Sequence, residues 1–97
     1  MKTTAEFKAS INLAYPPREF SAPLTSLWFD GKGDWQQAHA QVDNLTDQQS
    51  AWVHAYLHRK EGDIWNADYW YRKAKQTRPG ITLEEEWEQL VQHFLSE

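Results

Sequence analysis

The sequence predicts an all-α domain, a compact bundle of five helices over residues 21–97 behind an extended or irregular N-terminal arm over residues 1–20. Three observations carry this. From Ser21 onward the apolar residues recur at helical spacing. Each run ends at a short break rich in Gly, Pro or a capping residue. One run, residues 51–58, is apolar all round, as expected of a helix enclosed by its neighbours.

The elements follow in order. Phe7, Ala9, Ile11, Leu13 and Tyr15 alternate with Lys8, Ser10, Asn12 and Ala14, a period of two that predicts an extended segment stopped by Pro16-Pro17. No other stretch has this pattern, so the segment either lies over the helical body as an arm or pairs with a second copy; the arm is the simpler reading. Ser21 is placed to cap a first helix with Pro23 in its first turn and Leu24, Leu27 and Trp28 on its face. Gly31-Lys32-Gly33-Asp34 breaks it. Trp35, Ala38, Val42 and Leu45 predict a second helix reaching Leu45, and Gln48–Glu61 a third, ended by Gly62. Asp63 caps a fourth that runs to about Gln76, before Arg78-Pro79-Gly80. Thr82-Leu83-Glu84-Glu85 is a capping box opening a fifth helix with Leu83, Trp87, Leu90, Val91, Phe94 and Leu95 on one stripe. Trp52 and Tyr56 on the third helix are expected to be largely buried.

Composition narrows the function classes. Leu, Ile, Val and Phe number only 18 of 97 residues, but six Trp and four Tyr can supply a core built from rings. The absence of Cys excludes disulfides and thiolate metal sites and fits a reducing compartment. No apolar run has the length of a membrane span or a signal-peptide core, and the start, Met1 to Glu6, reads as cytoplasmic. The net charge is −4, unevenly spread: residues 59–78 hold six basic and three acidic side chains, residues 79–97 five Glu and no Lys or Arg. The two stretches are expected to neutralise each other across a helix contact. No basic footprint survives the sum, which argues against nucleic-acid binding.

Gly62, Ala67, Tyr71, Ala74 and Pro79 follow at intervals of five, four, three and five, and Gly33, Trp35, Ala38 and Val42 echo them. This set resembles the tetratricopeptide repeat over residues 22–79. In that family Gly turns between helices, Ala allows close approach, an aromatic fills the gap and Pro ends the unit. The resemblance implies antiparallel helical hairpins and a protein- or peptide-binding scaffold, with the last helix as a cap. The sequence departs from the family in three ways. The two Gly lie 29 apart instead of 34, the first unit lacks its Pro, and His54 and His58 stand where large apolar side chains are usual. The string from Ala51 to Asp63, with Asn66-Ala67 and Tyr69–Arg72, is also similar to that of a group of small bacterial proteins. That similarity implies a bacterial, cytoplasmic setting and carries no activity with it.

Candidate ligand-binding residues fall into two groups. His54 and His58 are one turn apart on one helix face, a spacing that can offer two imidazoles to one ion. His39, on the second helix, could approach from a neighbouring layer, and Glu61 or Asp63 could complete a set. The pair lacks the HExxH context, and the expectation is two neutral buried histidines, hydrogen-bonded within the protein, with no metal or other cofactor. Trp65 and Tyr69 lie off the core stripe of the fourth helix beside Arg72 and Lys73, an aromatic–cation set typical of protein contacts unless the acidic last helix covers it. No nucleophile elbow, phosphate loop or paired carboxylate in a telling context is present, so no catalytic residue is assigned. The expected function is a non-catalytic module binding a protein or peptide, a second copy of itself being one candidate partner. The alternative is a small metal- or ligand-binding protein, or less readily an enzyme, centred on His54 and His58.

Overall fold

The computed structural model describes residues 1–97 as six helices and no strand. They are α1 (Thr4–Ser10), α2 (Ala22–Gly31), α3 (Trp35–Ala40), α4 (Gln48–Lys60), α5 (Ile64–Lys73) and α6 (Leu83–Leu95). No helix is long and apolar enough to cross a membrane.

The all-α expectation holds from residue 21, but the extended arm requires correction. Residues 4–10 are helical because Thr3 and Glu6 form a capping box. The Thr3 hydroxyl accepts from the Glu6 N–H at 3.1 Å, and the Glu6 carboxylate accepts from the Thr3 N–H at 3.2 Å. The apparent period of two arose because Phe7 and Ile11 satisfy both spacings. Phe7 and Ser10 face inward, whereas Ala9, Leu13 and Tyr15 are exposed. Residues 11–20 are irregular, and Lys32 ties them down by donating to the carbonyls of Ile11 and Leu13, at 2.5 and 2.7 Å.

Two helices are shorter than expected. α3 stops at Ala40, and residues 41–44 continue as turns that leave Leu45 exposed. Asp43 and Asn44 are poor helix formers, and the chain there has i to i−3 bonds such as Val42 N–H to His39 O. α5 stops at Lys73, because Lys75 takes the left-handed conformation at φ 59° and reverses the chain.

Three helix ends use one device. After α2, Gly33 (φ 88°) donates to Asp30 and Asp34 donates to Phe29. After α4, Gly62 (φ 87°) donates to Arg59 and Asp63 donates to His58. After α5, Lys75 donates to Arg72 and Gln76 to Tyr71. This is the Schellman arrangement, which closes orphan carbonyls with a positive-φ residue. In the first two, the Asp after the Gly caps the next helix, accepting from Gln37 N–H and Asn66 N–H respectively.

α4 is the centre, touching α2, α3, α5 and α6, and α1 lies on α6. Ser50, Ala51 and every residue from Val53 to His58 are buried, as the apolar-all-round pattern predicts. Tyr56 is buried but Trp52 is only half-buried, leaning on His93 and Phe94 of α6 instead of filling the centre.

The core is aromatic-rich: Phe7, Trp28, Tyr56 and Trp87 lie among Leu24, Leu27, Leu57 and Leu90. Three indoles tie one helix to another's backbone. Trp28 donates to Ser10 O at 3.1 Å, Trp87 to Leu27 O at 3.1 Å and Trp35 to Leu57 O at 2.9 Å. Each ring thus buries a large apolar area without orphaning its N–H.

Two buried carboxylates are likewise satisfied. Asp30 accepts from the Tyr56 hydroxyl at 2.7 Å and from Lys60 at 2.8 Å. Glu86 accepts from Arg59 at 2.8 Å and from the Tyr71 hydroxyl at 2.5 Å. Burial and these carboxylates push both phenols far above the ordinary tyrosine range.

The expected neutralisation of the basic stretch by α6 is therefore narrow. Arg59 meets Glu86, but Lys60 pairs with Asp30 and Arg78 with Asp68. Arg72 and Lys73 are in no ion pair.

Candidate functional site

Helical register and short turns assemble two distinct features around α4 and α5. The first is a histidine cluster. His54 and His58 share a face of α4, and their rings stack at 4.8 Å. The turn after α2 brings α3 against that face, so His39 Nε2 lies 3.1 Å from His54 Nε2. One ring nitrogen from each of the three histidines falls within 4.8 Å of the others.

Indoles hold the rings. Trp35, one turn before His39 on α3, stacks on it at 4.9 Å and 9°. Trp70 of α5 stacks on His54 at 4.0 Å and 21°. Carboxylates address the outer nitrogens: Glu61 lies 2.6 Å from His58 Nδ1, and Asp43 3.8 Å from His39 Nδ1. His54, 3 % exposed, has no acid against it, and its Nδ1 is buried with no hydrogen-bond partner.

Burial first, then the neighbouring His58 and His39, hold His54 down to about 3. His39 is lowered too, by burial and then by His58, against the pull of Asp43 and Glu61. The buried, neutral character expected of His54 is present. Its expected hydrogen bonding is met at Nε2, which pairs with His39, and not at Nδ1.

The second feature is the outer face of α5. Trp65 is 77 % exposed and Tyr69 37 % exposed, with Arg72 and Lys73 beside them in solvent. The Lys73 ammonium sits 5.2 Å from the Tyr69 ring centre and 5.3 Å from that of Trp70. All four expected residues are therefore on the surface. α6 packs on α1, α2 and α4. Its buried acid, Glu86, reaches Arg59 and Tyr71, not this face.

Trp70 touches both features, stacking on His54 and lying 5.3 Å from the Lys73 ammonium. His39 is the member of the cluster hardest to see in the sequence. Its signal is local: it stands four residues after Trp35 and four before Asp43, so α3 and the turns that continue it present a stacking ring, an imidazole and an acid in succession. A further cleft of about 520 Å³ lies over Asp30, Gly31, Tyr56 and Trp87, but its buried carboxylate already has two donors.

Comparisons with protein-family models, with curated proteins and with solved structures find no match for this chain.

Proposed function

We propose that the chain is a non-catalytic binding module of tetratricopeptide-like helix pairs, whose outer α5 face takes an acidic segment of a protein partner. The observation that carries the reading is Trp65, a large ring 77 % exposed on a helix that buries only Ala67 and Tyr71. Trp, Tyr and Arg are the residues in which interface binding energy concentrates. The flanking Arg72 and Lys73 are unpaired, which favours a partner segment bearing carboxylates. The repeat reading draws support from the matching Gly-Asp turns after α2 and α4, with Ala38 and Ala67 both fully buried at the same offset beyond them.

Trp65→Ala tests the reading. It should leave the melting midpoint nearly unchanged, within about 0.5 kcal/mol as for other exposed positions. It should also weaken association, measured as self-association by light scattering and as affinity for a Glu-rich peptide by fluorescence. Stability loss of several kcal/mol, or association equal to the parent's, counts against it.

A further inference from the structure

We propose that His39, His54 and His58 form a binding site for a divalent transition-metal ion such as zinc, held by three imidazole nitrogens with the fourth position open at the His39 edge. This site is separate from the α5 face and does not depend on the reading given for it.

Geometry comes first. Two nitrogens bound to one tetrahedral zinc at about 2.0–2.1 Å must lie about 3.3–3.4 Å apart. His39 Nε2 and His54 Nε2 stand at 3.1 Å, and all three ligand atoms lie within 4.8 Å, so modest ring rotations close the set.

The surroundings of His58 match those of a metal-ligating histidine, and those of His39 approach them. Such residues usually give their outer N–H to a carboxylate, which fixes the tautomer and leaves the inner nitrogen's lone pair for the ion. Glu61 takes Nδ1 of His58 at 2.6 Å, leaving Nε2 as its ligand atom, and Asp43 stands 3.8 Å from Nδ1 of His39. The stacked indoles of Trp35 and Trp70 wall the cluster and exclude water on those sides. Trp35 is itself fixed by its bond to Leu57 O.

Two imidazoles alone can share one N–H, as His39 Nε2 and His54 Nε2 do at 3.1 Å, and Nδ1 of His54 stays unpartnered with or without an ion. What points to an ion is the third imidazole, His58, brought to the same pair. His39 is the half-buried member, with a quarter of its side chain in solvent, so an ion enters on its side and the open position faces there. Imidazole ligands suit zinc, copper and nickel, and the absence of Cys removes thiolate competition.

The experiment is a titration of the chelator-treated full chain with zinc by calorimetry, and with cobalt(II) by visible absorption. One equivalent is expected to bind, and cobalt should show the strong visible bands of a tetrahedral nitrogen-rich site. Glu61→Gln, lacking the outer carboxylate, should weaken affinity by about 10–100-fold. His39→Gln, at the half-exposed position and so least disruptive of folding, should weaken it further and abolish the cobalt bands. Circular dichroism in chelator confirms that each variant is folded.

Three outcomes overturn the proposal: no stoichiometric binding by the parent, affinity unchanged in folded His39→Gln, or affinity that depends on Asp63 and not on His39. The last would place the ion on the alternative set of His58, Glu61 and Asp63.

Discussion

His54 is the residue at which burial and chemistry pull hardest against each other. Its charged form is opposed by desolvation and by two imidazoles, and its folded value lies near 3 against about 6.5 in the unfolded chain. The sign follows: below pH of about 6.5 the unfolded chain binds a proton that the folded chain refuses, so stability is full above that pH and falls as the pH drops toward 3. His39, also lowered, acts in the same direction. Urea unfolding in chelator should therefore lose up to about 1.4 kcal/mol per pH unit from His54 between pH 6 and 4. His54→Gln should shrink that slope; an unchanged slope in the variant contradicts the assignment. The rings make a second contrast at this scale. The half-buried Trp52 should lose less on truncation to Ala than the about 3–5 kcal/mol of a fully enclosed aromatic. Residue type and helical spacing made the α4 histidines and the α5 surface set legible. They admitted His39 as a third member but could not fix its distance to His54, because that depends on how α3 folds back over α4.

Among the elements, the three Schellman ends differ in one respect: Gly occupies the positive-φ position after α2 and α4, but Lys75 occupies it after α5. A side chain in that conformation costs roughly 1–2 kcal/mol, which glycine avoids at some expense in unfolded-state entropy. Lys75→Gly is thus expected to stabilise the domain by about 1 kcal/mol, read as a higher midpoint in urea at unchanged slope. A lower midpoint would show that the Lys75 side chain makes contributions beyond its backbone. Caps were the most readable features of the chain: Ser21, Asp63 and Thr82 all cap where the sequence places them. Thr3 was as readable by the same rule, since Glu6 follows at the capping-box spacing. The alternation from Phe7 to Tyr15 masked it because a seven-residue helix needs only two inward residues, too few to separate a period of two from one of 3.6.

At the scale of the whole molecule, α1 is part of the core. Phe7 is fully buried, stacked on Phe20 at 5.3 Å and tilted on Trp87 at 5.6 Å. Phe7→Ala should cost about 3–5 kcal/mol, a large share of a small domain's stability, measured by urea unfolding. A variant as stable as the parent would return residues 1–20 to the status of an arm. Charge was the least legible property at this scale, because net balance between segments does not say which side chains meet. The basic stretch and α6 share only Arg59 with Glu86, and this leaves Arg72 and Lys73 free beside Trp65. The central claim is that the binding face lies outside the ring-built core. The measurement closest to it is the NMR spectrum of the indole N–H groups during titration with a Glu-rich peptide. The Trp65 signal should move with added peptide, while those of Trp28 and Trp87, bonded to buried carbonyls, should hold still. Movement of Trp28 and Trp87 with a stationary Trp65 would contradict it.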